Sequence, residues 1–213
     1  MSFMRSVVRG AGLIALVAGS VSCGDVVRQG RSPVYLVVDS FTVAKGGSTT
    51  FTGGPLTSDV VVLKTTPAPC SAASPCATIF NDLGQVTLRV SLKDIGPGTS
   101  TLTPSTNNEV TLNRIHIEYI RADGRNTPGV DVPWPFDTAA TGTVPANGTI
   151  ALPFELVRHV AKEESPLVQL ASDASVINTI AHVTFYGQDQ VGNVISVTAS
   201  MAVEFGNFGD SSS

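Results

Sequence analysis

The chain has 213 residues, of which 14% are charged and 42% hydrophobic, with 13 basic against 17 acidic side chains. An acidic balance with no basic cluster argues against nucleic-acid binding, and the apolar content argues against wholesale disorder. Its 20 glycines and 13 prolines suit a β-protein rich in turns, long enough for one substantial core.

The N-terminus reads as an export signal. Arg5 and Arg9 form a positive region ahead of the apolar run 11–21, AGLIALVAGSV, which is too short to cross a bilayer comfortably. Small residues then lead into Cys23. The stretch Gly19-Ser20-Val21-Ser22-Cys23 resembles the lipobox of bacterial lipoproteins. That resemblance implies removal of residues 1–22, lipidation of Cys23 and a membrane partner reached through the lipid. Gly24 lacks the aspartate that retains some such proteins in the inner membrane, so the outer membrane is expected where a cell has two. Ser20 stands where the pattern usually has an aliphatic residue, and the serines also satisfy an ordinary signal-peptidase site. A secreted soluble protein is the alternative.

Residues 23–33 form a tether, after which strands alternate with Gly, Pro, Asn and Asp. Short apolar runs at Val34–Val38 and Val60–Leu63 read as core strands. Cys70 and Cys76 flank SAASP, a segment suited to a compact turn. With Cys23 lipidated they remain as an even pair, and a disulfide is expected that stabilises by about 2 kcal/mol on the chain-entropy model. Free thiols are the alternative; a metal site lacks a nearby histidine or a second cysteine pair. Asn81-Asp82-Leu83-Gly84 reads as a turn joining Ala77–Phe80 to the next strand. In that strand Val86, Leu88, Val90 and Leu92 share one face with period two.

Along Glu109–Arg121 the apolar parity changes between Leu112 and Ile115, which predicts a β-bulge at Asn113–Arg114. In Gly148–Val160, Ile150, Leu152, Phe154 and Leu156 share a face, and Pro153 predicts an edge strand or bulge. The segment His159–Leu170 carries the one helical hint, cut short by Pro166. Ala181, Val183 and Phe185, then Ile195 to Phe205 in alternation, predict two closing strands. The intervening Asp189-Gln190-Val191-Gly192-Asn193 resembles the terminal hairpin turn of bacterial immunoglobulin-like modules. The expected fold is therefore all-β: an immunoglobulin-like antiparallel β-sandwich of about eight to ten strands over 34–208, with at most a helical turn near 159–170 and a flexible tail at 209–213.

Catalytic signatures are missing from the sequence: no G-x-S-x-G, no H-E-x-x-H and no phosphate-cradling glycine motif. His116, His159 and His182 read as surface residues, and no cofactor or metal is expected. Asp94, Asp123, Asp131, Asp137 and Asp189 read mostly as turn residues. The segment 121–147 is longer than a usual connection and carries Pro128, Pro133 and Pro135 around Trp134, the only tryptophan. A stiff loop presenting an aromatic ring suits a sugar or a protein partner. The preferred expectation is that Trp134 and Phe136 fold back to plug one end of the sandwich. Asp123, Asn126 and Asp131 can gather around Ca²⁺, although a loop held by its own backbone bonds is preferred. The functional expectation is a non-enzymatic, lipid-anchored module of the cell envelope acting through structure or interaction. The alternatives are a carbohydrate- or calcium-binding module using 121–147, and an envelope hydrolase on a sandwich scaffold.

Overall fold

A computed structural model describes residues 30–94 and 102–209; the signal region, Cys23 and most of the tail lie outside them. The described chain forms ten strands: β1 (Val34–Ala44), β2 (Leu56–Asp59), β3 (Val62–Lys64), β4 (Cys76–Thr78), β5 (Asp82–Leu92), β6 (Val110–Ile120), β7 (Phe136–Val144), β8 (Ile150–Val157), β9 (Ile177–Asp189) and β10 (Val194–Gly206). One short helix, α1 (His159–Lys162), and a 3-10 segment (Leu167–Ser172) follow β8. α1 stops at Lys162, as short as expected, but Pro166 begins the 3-10 segment rather than cutting the helix.

Two sheets face each other. One runs β1-β5-β8 and the other β2-β10-β9-β6-β7, while β3 and β4 pair by themselves. The inward residues of both main sheets form one core, which includes Leu36, Val86, Leu88, Ile115, Ile117, Val183, Phe185 and Val203. Phe154 of β8 meets Phe185 of β9 edge to face at 5.4 Å between ring centroids. Tyr119 of β6 donates its hydroxyl to the Leu156 carbonyl of β8 at 2.6 Å, so the two layers share a buried polar bond as well as apolar contact. The all-β sandwich read from the alternation is the fold of this chain.

Several local expectations hold in detail. β6 slips register between Leu112 and Arg114 against both neighbours, so Asn113 is the extra residue that brings Val110, Leu112, Ile115 and Ile117 to one buried face. β8, which contains Pro153, is an edge strand. Cys70 and Cys76 are bonded, with Cα atoms 5.3 Å apart. Asp189 organises the β9–β10 turn by accepting from the amides of Val191 and Asn193 and from the Asn193 side chain. Burial pushes the Asp189 pKa up, but these hydrogen bonds, the Asn193 side chain foremost, outweigh it and leave the group below its ordinary value.

Four expectations are corrected. Asn81–Gly84 is not a turn: β5 starts at Asp82, and its inward face runs Asp82, Gly84, Val86, Leu88, Val90. Gly84 is needed there because a Cβ would lie 2.6 Å from the Phe154 ring, and Asp82 is buried against Lys162. Val60–Leu63 is not one strand, since Val60 is a fully buried residue between β2 and β3, and Leu63 is exposed. The sandwich is not wholly antiparallel, because β2 pairs parallel to β10 at the sheet edge. Finally, the long connection after β6 ends at Pro135. Residues 136–144 are strand β7, which places Asp137 in a strand rather than a turn.

Candidate functional site

The most organised surface feature is the loop 121–135 between β6 and β7. At its entry the Arg121 amide donates to Asn126 Oδ1 at 2.6 Å, which closes the first bend. Asp123 lies inside that bend. Arg121 donates to it through Nη2 (2.6 Å) and Nε (3.2 Å), and Arg125 through Nη2 (2.9 Å), Nε (3.1 Å) and its amide (3.1 Å). The Arg121 hydrogen bonds above all, then the Arg125 amide, hold the Asp123 carboxyl well below the usual carboxylate range.

The second bend is built on Thr127. Its carbonyl accepts from the Val130 and Asp131 amides at 3.2 and 2.8 Å, and its amide donates to Asp131 Oδ2 at 3.2 Å. The Gly129 amide then reaches the Val132 carbonyl at 2.8 Å, and the Val132 side chain is buried in the core. This bend sets the tryptophan. Gly129 has φ +76°, and a Cβ there would lie 2.5 Å from Trp134 Nε1. The indole therefore lies directly against the glycine backbone, an approach no other residue permits.

Trp134 does not plug the sandwich. It is 54% exposed, as is neighbouring Val130 at 65%, while Phe136 alone of the expected pair enters the core. The Arg158 guanidinium covers the Phe136 ring at 4.3 Å. Pro133 and Pro135, on either side of the indole, help line a groove of about 220 Å³ together with Glu118, Ile120, Asn126 and Pro128. The loop thus joins an exposed ring to a groove of mixed polarity. Asp123, Asn126 and Asp131 do not converge. Each side chain is turned to its own part of the loop, and no group of three His, Cys, Asp or Glu residues suited to a metal exists among the described residues.

The outer face of the five-stranded sheet carries two of the histidines. His116 Nδ1 lies 3.2 Å from Asp137 Oδ1, which also accepts from Arg114 Nη1 at 3.1 Å. Arg114 in turn stacks over Tyr186, 3.9 Å from the ring centroid. His182 Nδ1 is 3.9 Å from Glu118 Oε1. These are cross-strand pairs of a solvated sheet face, and His159 is exposed on α1.

A second cluster lies in the interior and was not anticipated. Lys162 Nζ sits 2.8 Å from Asp82 Oδ2, with the two side chains 1% and 0% exposed. Nζ also donates to the Asp59 carbonyl at 2.8 Å. Ser58 Oγ donates to Asp82 Oδ2 at 2.6 Å, and the Gly46 amide donates to Asp82 Oδ1 at 2.6 Å. Burial raises the Asp82 pKa above its ordinary value, the opposing pull of Lys162 and the hydrogen bonds notwithstanding. One signal was available: period-two alternation carried back from Val86 puts Gly84 and Asp82 on the inward face. For Lys162 the sequence offers nothing comparable.

No protein-family model, no curated protein and no solved structure matches the chain.

Proposed function

We propose that the chain is an exported, lipid-anchored β-sandwich of the bacterial cell envelope that acts without catalysis, as an interaction module whose contact element is the loop 121–135. The observation that carries this reading is Trp134, held exposed on a loop whose hydrogen bonds and prolines fix it before any partner arrives. A ring ordered in advance costs less conformational entropy on binding, and tryptophan is enriched where partners bind most tightly. The Cys70–Cys76 disulfide supports an oxidising, extracytoplasmic setting. Among the described residues no helix is long and apolar enough to cross a membrane. Anchoring rests on Cys23 behind its apolar run.

A second reading is favoured by the groove beside Trp134: a sugar ring stacks on the indole while Glu118 and Asn126 meet its hydroxyls. Fluorescence of the single tryptophan during titration with soluble envelope glycans separates the two. Saturable quenching that Trp134→Ala removes supports the glycan reading. Absence of quenching, together with cross-linking of an envelope protein through residue 134, supports the protein-partner reading. If neither depends on Trp134, the loop is not the contact element. The intact mass of the membrane-fraction protein tests the anchor, through an acylglyceryl adduct on Cys23 after loss of residues 1–22.

A further inference from the structure

Asp82 and Lys162 are eighty positions apart, at the start of β5 and the last residue of α1, and meet in a space closed to solvent. We propose that these two side chains condense to an intramolecular amide, a covalent link between β5 and α1 that the folded chain forms unaided. Nζ touches Oδ2 at 2.8 Å, so the carboxyl carbon is a single bond beyond the contact. Two reactants held in this way behave as if at about 10⁵ M or more, which removes most of the entropic barrier to joining them.

The step balances without any outside reagent. The lone pair of neutral Nζ attacks Cγ, a C–N bond forms, and the Cγ–Oδ2 bond breaks. Oδ2 leaves as water, carrying the carboxylic proton and one proton from the amine. Nothing is oxidised or reduced. The pair reaches this form when the proton on the 2.8 Å Nζ–Oδ2 contact passes to the carboxylate, and burial favours that transfer by raising the Asp82 pKa.

Each reacting atom also has a group placed to serve it. The Gly46 N–H sits on Oδ1, the oxygen that becomes negative when the carbon turns tetrahedral and then remains as the amide oxygen. The Ser58 hydroxyl sits on Oδ2, the oxygen that departs, and can hand it a proton. The Asp59 carbonyl holds another N–H of Nζ, which restricts where the nitrogen lone pair points. Enclosure keeps bulk water from returning the amide to its acid.

The test compares the full-length chain with Lys162→Arg, which keeps a cation at this position but forms no such amide. After reduction of the disulfide, the wild-type chain is expected to be lighter than its sequence requires by one water, and the variant to carry its full mass. Digestion is expected to yield a branched peptide joining Asp82 to Lys162. On a denaturing, reducing gel the wild-type chain then runs ahead of the variant, because a closed loop is more compact. Full mass in wild-type protein that is folded by circular dichroism overturns the proposal. So does a water deficit that persists in Lys162→Arg or maps to Asp123-Gly124, where cyclisation to a succinimide loses the same mass. If the variant does not fold, the presence or absence of the branched peptide in the wild-type digest decides alone.

Discussion

Asp123 lies between two guanidinium groups at the surface, whereas Asp82 meets one ammonium in a sealed interior, and their acidities move in opposite directions. At the surface water still solvates the carboxylate, so the arginine hydrogen bonds add to solvation and the charged form is favoured. In the interior the lost hydration exceeds what Lys162, Ser58 and Gly46 return. The same residue type thus orders a loop in one place and forms a high-energy, tightly positioned pair in the other. The surface cluster preorganises a shape. The interior one concentrates two reactive groups.

The sharpest way to break this contrast is to remove each carboxylate. Asp82→Ala is expected to cost about 3–5 kcal/mol, because it strips the buried Lys162 of its charge partner. Asp123→Ala is expected to leave the global unfolding midpoint nearly unchanged, since both arginines can turn to solvent. Urea denaturation of the two variants reads the difference. Equal losses would mean that the loop is integral to the core, against the exposure of its clamp.

The disulfide supplies an intermediate case, because it closes a small, mostly exposed segment joined to β4. Reduction, or Cys70→Ser with Cys76→Ser, is expected to cost about 2 kcal/mol through the freedom restored to the unfolded chain. A loss as large as that of Asp82→Ala would show that the segment from 70 to 76 supports the core directly.

Within the loop, Gly129→Ala sharpens the comparison further. The added methyl meets the indole and requires a left-handed backbone, so about 1 kcal/mol or more is expected to be lost, with a shift in tryptophan emission. Trp134→Ala is expected to change stability by less than about 0.5 kcal/mol, because the ring is more than half exposed. A larger loss from Trp134→Ala than from Gly129→Ala would return the ring to the structural role expected from sequence.

How much of this was legible follows from the range of the interactions. The strands were readable because one face of each is buried, so alternation records the fold directly: β5, β9 and β10 are the clearest cases, and the parity break at Asn113 even located a bulge. The Asp189 turn and the cysteine pair are local in sequence and were equally accessible. Long-range features were not. Asp82 reads as a turn residue because aspartate followed two residues later by glycine is a turn signature, and only the partner from α1, eighty positions away, reverses that meaning. The parallel docking of β2 on β10 is distant in the same way. The exposure of Trp134 is not legible in the sequence because it depends on which way an ordered loop leans, and proline content fixes stiffness but not direction.

Acid titration probes the smallest effects and separates Asp123 and Asp189 from Asp82. Asp123 and Asp189 both have folded pKa values below their ordinary value of 3.8. Between the folded and unfolded values the unfolded chain binds more protons, so stability falls as pH falls through that window. Their stabilisation is complete above pH 3.8, begins to fade below it and is gone only under the depressed folded values. Amide protection at Arg125, Val191 and Asn193, measured against the intrinsic exchange rate at each pH, is therefore expected to fall in strong acid and to stay level above that range, because those N–H groups are held by the two carboxylates. A free Asp82 has the opposite sign: its raised folded value makes the folded chain the stronger proton binder, so stability falls as pH rises from 3.8 through the folded value and is level above it. An amide at this position removes that second component altogether. A stability curve that is level above pH 3.8 and declines only in stronger acid fits the joined pair, and an added decline on the alkaline side of 3.8 fits a carboxyl that still titrates.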